Sequence, residues 1–337
     1  MTSDATLRDF YELVYRPARH AGERHRRTRA EARTQINNLN RWWHSFSAES
    51  GRPLAELTLG VFDELGDDAI TLAMAWLVDD ERRPARAPAT ANKLRATINA
   101  LWMLAHERKL VTARPGNKRY RCDLEDPIAL TPEQKAAVIA QAQRVRGTVG
   151  EVAACDWWLM LVLLAFNSGA RINVLRHATT AGLDLARGEL LLPARWQKQR
   201  KDQRVALWAS TLRQIRRVGV VERRLVHLLD DWPYTTDTLR RYYSRLILEP
   251  AGVPVDRQHK FHCLRKTLGS EVAAADGLGT AQEILGHSSA SVTLRYVDPR
   301  YERRARVPEL VPDPLPTDTR PPLTVYRGRC DLRGAAS

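Results

Sequence analysis

LGHSSASVTLRYVDP, residues 285–299, combines a glycine-histidine pair, a run of small hydroxylated residues and an Arg-Tyr pair. Tyr296 stands nine positions after His287. Taken alone, this stretch describes a turn and a short helix with a structural tyrosine, since tyrosines are commonly part-buried packing residues. A reactive tyrosine needs more than its own segment supplies. It needs cations to favour its phenolate and to neutralise an anionic substrate, so the question passes to the rest of the chain.

The chain has 337 residues, enough for two domains. Its 44% hydrophobic and 27% charged residues fit a globular protein. No apolar run reaches the roughly 20 residues of a membrane span, and the polar start MTSDATLRDFYELVYRPARH predicts no secretory leader. Lys and Arg total 53 against 39 Asp and Glu, a net charge of +14. Such a field points to a polyanion, nucleic acid above all. Arginine carries most of it, and its planar fork matches phosphate. Cys122, Cys155, Cys263 and Cys330 lie far apart without metal-site spacing, so the reading is free thiols in a reducing compartment and no metal or cofactor.

Residues 1–125 read as a helical domain. TRAEARTQINNLNRWWHSF sets Ile36, Leu39, Trp43 and Phe46 at near-helical spacing, preceded by a basic run containing Arg26 and Arg27. FDELGDDAITLAMAWLVDD gives a second helical region, and ATANKLRATINALWMLAHERKL a third, with Leu94, Ile98, Leu101 and Ala105 on one stripe. Lys93, Arg95 and Asn99 fall off that stripe, on a face that is either merely solvated or open to phosphate. VTARPGNKRYRCDLEDP, 111–127, reads as a linker. A second domain, 126–305, opens with Thr131, Pro132 and Gln134 in a capping-box pattern. VAACDWWLMLVLLAFNSGAR is a buried core helix ending near Gly169. GLDLARGELLLPARW and DQRVALW predict a small antiparallel sheet, with KQRK at the bend. The remainder to about Tyr301 is mostly helical. The proline-rich stretch 306–337 predicts an extended or disordered tail.

Four segments of the second domain hold phosphate-seeking side chains. SGAR places Arg171 just past the apolar helix. The QKQRKDQR hairpin carries Lys198, with Lys201 beside it. FHCLRKT sets His262 and Arg265 three apart, hence on one helical face. The fourth is the opening stretch, with His287 and Tyr296. Each alone has an ordinary explanation: a helix-end cation, an exposed turn lysine, a surface His-Arg pair. In this order and spacing, SGARINVLRH, KQRKDQRVAL, HCLRKT and LGHSSASVTLRY together resemble the tyrosine recombinases, the phage integrase family, over roughly residues 130–300. The N-terminal domain resembles the family only loosely.

The resemblance implies a mainly α fold with a small antiparallel β-sheet in the catalytic domain, and a helical core-binding domain that closes a C-shaped clamp on DNA. It implies Tyr296 as nucleophile, Arg171 and Arg265 on the phosphate oxygens, His262 and His287 as proton-handling or phosphate-binding groups, and Lys198 as acid for the departing 5′ oxygen. Lys93, Arg95, Arg26, Arg27 and Lys201 are the expected DNA-backbone contacts. The expected partners are double-stranded DNA with a crossover site, a homotetramer on two sites, and accessory bending or directionality proteins, with no membrane, in a bacterial cytoplasm at the nucleoid. Integration or excision of a mobile element is the leading role. A dimer resolvase, a DNA-binding regulator that does not cut, and a type IB topoisomerase are the alternatives. The chain departs from the family pattern at Val174, where an acidic residue is common, at Ala206 in place of proline, at Lys266 in place of a second histidine, and at Cys263 in place of an acidic residue.

Overall fold

The computed structural model describes residues 2–22, 25–52, 56–79, 86–122, 125–197 and 199–301, without the side chains of Arg26 and Arg27. Lys198, Cys330 and the tail 306–337 therefore lie outside the described residues. The chain is mainly helical with small antiparallel sheets. It divides into two compact units, the first ending at Leu124 and the second beginning at Glu125. No helix among the described residues is long and apolar enough to cross a membrane.

The first unit is built on helices Arg26–Glu49, Asp68–Val78 and Pro88–Glu107. The second helical region of the sequence is in fact two helices, because Gly66 at φ +56 ends Gly60–Leu65 before Asp68–Val78 begins. Leu94, Ile98, Leu101 and Ala105 are buried as their spacing requires, against Ile36, Leu39, Trp42 and Phe62. Lys93 is exposed, whereas Arg95 is only half-exposed, with a buried, unpaired Nε. The polar stretch after this helix carries no regular element, yet it is tied down. Asp63 Oδ1 accepts from the amides of Thr112 and Ala113, Asp67 from Gly116, and Asn92 brackets Tyr120 through its amide N–H and carbonyl. Asn99 exchanges amide hydrogen bonds with Asn117.

In the second unit, Thr131 and Gln134 form a reciprocal capping box on Pro132–Ala142. The apolar helix Ala154–Ser168 is buried on nearly every side, with Trp157 and Trp158 packed on Trp232. It stops at Gly169, whose φ of +57 is left-handed. Strands Leu183–Asp184, Glu189–Leu192 and Gln203–Ala206 form one antiparallel sheet in sequence order. Asn167 fastens that sheet to the core helix, donating to Ala206 O and accepting from Trp208 N and Thr211 Oγ1. The long helix His262–Leu285 is interrupted at Gly277 (φ +88, ψ 169) and ends at left-handed Gly286.

Candidate active site

Three chain turns converge on the Tyr296 ring. Helix His262–Leu285 brings His262 and Arg265, its C-terminal turn leads into His287, and the turn after Ala290–Thr293 carries Tyr296 itself. Tyr296 is thus presented just beyond the short helix, not on it: that helix holds only four residues, and Tyr296 N bonds to Thr293 O at 2.8 Å in the turn that follows. The segment is anchored on the far side as well. Ser270 Oγ accepts from Asp298 N at 2.9 Å, and the buried Asp298 carboxylate takes Ala129 N and the Arg300 guanidinium.

The Arg265 guanidinium lies 5.2 Å from the Tyr296 ring centroid, in cation-π range. The rings of His262 and His287 stand 5.1 and 4.5 Å from the same ring. Arg265 is 4% exposed and held by its own chain. Its Nη1 donates to Gly169 O at 2.5 Å, and its Nη2 to Leu285 O at 2.6 Å and His287 Nε2 at 2.9 Å. Its Nε is buried without a partner. Both carbonyls belong to helix ends, where backbone acceptors have no intrahelical donor. Gly169 therefore serves twice, by its left-handed turn and by its carbonyl. A Cβ there would stand 2.8 Å from Leu268 Cδ2.

Guanidinium nitrogens only donate, so His287 Nε2 must accept from Arg265. The imidazole proton then resides on Nδ1, 3.1 Å from Thr293 Oγ1, and that hydroxyl passes its own proton to Ser289 O at 3.3 Å. Burial, then the charges of Arg265 and Arg171, push His287 down to about 4. His262 falls to about 4 by the same causes in the same order. His262 as a whole is exposed, so water screens much of the effect, and the consequence that carries into the chemistry is the direction alone, a ring neutral at pH 7. Burial and the nearby Arg171 bring Arg265 to about 10, so it stays charged at pH 7.

Arg171 precedes helix Ile172–Arg176 and lines a cleft of about 1000 Å³ with Lys201, Gln203, His287, Arg295 and Tyr296. Among the described residues, nothing hydrogen-bonds or ion-pairs with its guanidinium. Val174 is buried in the apolar core, so this chain spends on packing the position where the family commonly has an acid. The structure thus sets Arg265, His262 and His287 around the Tyr296 ring, and lines one cleft with Tyr296, His287, Arg171 and Lys201. Lys198 and the side chains of Arg26 and Arg27 lie outside the described residues, and Lys93 and Arg95 belong to the other unit. Among the described residues, no cluster of three or more His, Cys, Asp or Glu could hold a metal ion. Thr293 and the carbonyls of Gly169 and Leu285 were not legible as site components. A threonine six residues past a histidine carries no signal by itself, and a carbonyl carries none at all.

The sequence profile of the phage integrase family matches residues 130–303. The chain belongs to that family, the tyrosine recombinases, enzymes that break and rejoin DNA strands. No curated protein matches by sequence. Among solved structures it is similar to lambda integrase, seen as a dimer bound to a COC′ core site (16% identity, TM-score 0.65, 90% of this chain and 81% of that one) and as a tetramer bound to a Holliday junction. It is similar to the Tn1549 transposon integrase with a circular intermediate DNA (15%, 0.63, 87% and 95%). It is also similar to the XerH site-specific recombinase bound to a difH substrate (15%, 0.63, 82% and 76%).

Proposed function

We propose that this chain is a site-specific DNA recombinase that works through a covalent 3′-phosphotyrosine, integrating or excising a mobile element. One observation carries the reading: Arg265 beside the Tyr296 ring and Arg171 on the cleft with it have no carboxylate partner among the described residues, and the two histidines around that ring are neutral at pH 7. A cationic pair left without a counter-ion beside a nucleophile suits a substrate that brings its own negative charge. A phosphodiester does so.

In this reading Tyr296 Oη attacks the scissile phosphorus and its proton passes to neutral His262. Arg265 and Arg171 hold the non-bridging oxygens of the pentavalent state. The P–O5′ bond breaks as Lys198 gives a proton to the leaving oxygen. The tyrosyl phosphodiester keeps the bond energy, and a second 5′ hydroxyl displaces Tyr296 in the reverse step. Residues 126–305 form the catalytic part and 1–125 the core-binding part, with Lys93, Arg95, Arg26, Arg27 and Lys201 on the DNA backbone. The working assembly is a homotetramer on two crossover sites, with bending or directionality partners, acting on DNA in the bacterial cytoplasm. The integrases of lambda and Tn1549 among the similar structures support the mobile-element role.

The test is a nicked suicide duplex carrying a candidate crossover site. A protein-DNA adduct that disappears in Tyr296→Phe is the expected result. Tight, site-specific binding with no adduct from the wild type would instead make the chain a regulator, and relaxation of any supercoiled plasmid without strand exchange would make it a topoisomerase.

A further inference from the structure

The helix that ends ahead of His287 leaves a row of backbone carbonyls without intrahelical donors, as every helix does. Here consecutive ones are taken by side chains from elsewhere. Leu285 O receives Arg265, as described. Ile284 O receives Gln203 Nε2 at 2.6 Å, and Gly286 O receives Gln199 Nε2. Gln203 opens the strand Gln203–Ala206, and Gln199 lies in the bend before it. Two glutamines of the β-hairpin therefore grip the carbonyls on either side of the one that holds Arg265. Both amides lie against the Gly286 turn, where a Cβ would stand 3.5 Å from Gln203 Oε1 and 3.7 Å from Gln199 Nε2, in ordinary contact.

Neither bond is needed to build the sheet, whose ladder is backbone to backbone. Neither is a surface accident of one residue, because two side chains four positions apart reach two carbonyls two positions apart. The feature they join is chemically pointed. On one side stands the segment bearing His287 and the Leu285 carbonyl of Arg265. On the other stands the hairpin of Lys198, which immediately precedes Gln199 in the chain. A tether at Gln199 limits how far the hairpin can carry that lysine from the helix end.

We infer that Gln199 and Gln203 are positioning residues that fasten the lysine hairpin to the helix end beside His287, and so set the reach of the general acid to the leaving oxygen. This rests on the proposed strand-cleavage reaction. Both glutamines have their side-chain N–H groups engaged with the Gly286 and Ile284 carbonyls. They act through Lys198, and the proton that Lys198 gives to O5′ is the step they serve.

The experiment compares two suicide duplexes that differ at one atom, the bridging 5′ oxygen or a sulfur in its place. A thiolate, the anion of an acid with pKa roughly 8.5, leaves without a proton, whereas an alkoxide does not. Adduct rates are measured for wild type, Gln199→Ala, Gln203→Ala, the double variant, and Gln203→Glu, which keeps the shape but loses the donor. Lys198→Ala is the reference. The double variant is expected to lose about 10- to 100-fold on the oxygen substrate and less than about 3-fold on the sulfur substrate, with DNA affinity and melting temperature close to wild type. Wild-type rates on oxygen, or equal losses on both substrates, would overturn the inference while leaving the recombinase reading in place. A wild type that forms no adduct on either substrate overturns both.

Discussion

Arg265 Nη2 and His287 Nε2 lie 2.9 Å apart, and only the imidazole can accept. That one contact fixes the tautomer of His287 and makes Thr293 its second partner. Thr293→Val keeps the shape and removes the acceptor, leaving a buried Nδ1–H unpaired at about 1–3 kcal/mol. Adduct formation on a suicide duplex should drop about tenfold or more, and Thr293→Ser should restore it. A valine variant as stable and as active as wild type would mean that Nδ1 carries no structural proton.

The two arginines are expected to separate stability from activity. Arg265 satisfies two helix-end carbonyls from within the core, so Arg265→Ala should destabilise the fold by about 2–4 kcal/mol in chemical denaturation as well as abolish cleavage. Arg171 makes no such bonds among the described residues. Arg171→Ala should leave stability within about 0.5 kcal/mol and still cut adduct formation by about 10²–10³-fold.

Acid should destabilise the DNA-free protein before it protonates the site. His287 binds its proton at about 4 when folded and at 6.5 when unfolded. Between these values the unfolded chain holds protons that the folded site refuses, so the stability is fully present above about 6.5 and is lost as pH falls toward 4. Thermal melts should show a falling Tm over that window, and His287→Gln should flatten part of the slope. At constant temperature, cleavage should show no histidine-linked fall between about pH 6.5 and 8, because both rings are already neutral there.

Gly169 and Gly286 both take left-handed backbone, at φ +57 and +61, but their surroundings differ. A Cβ on Gly169 meets Leu268 Cδ2 at 2.8 Å and Leu285 Cδ2 at 3.0 Å, whereas on Gly286 its nearest contact is 3.5 Å. Gly286→Ala should therefore cost about 1 kcal/mol from backbone strain alone, and Gly169→Ala about 2–4 kcal/mol from strain plus overpacking. Equal midpoints in urea unfolding would contradict this ordering.

Much of the molecule was legible in the chain. The buried helix Ala154–Ser168, its stop at Gly169, the capping box of Thr131 and Gln134 and the hairpins follow from local chemistry: apolar content, a residue that tolerates positive φ, a side chain that reaches its own backbone. The stretch read as a linker is tied down in a way its own residues do not show, because the aspartates and asparagines that hold it lie far away in sequence. Arg95 illustrates the same limit. Its place off the apolar stripe is a matter of spacing, while the burial of its Nε depends on what packs over it.

Sequence alone set out the candidate site residues: two arginines, two histidines, a lysine and a tyrosine at spacings that resemble one enzyme family. It did so because those types and separations are properties of the chain itself. Only the tertiary structure decided that Arg265 is held by the carbonyls of Gly169 and Leu285, that His287 accepts and Thr293 receives, and that Gln199 and Gln203 fasten the hairpin to the helix end. Those partners are backbone carbonyls and uncharged side chains. Each becomes part of a site only when folding brings it within hydrogen-bond distance of a group remote in sequence, and no residue type announces that in advance.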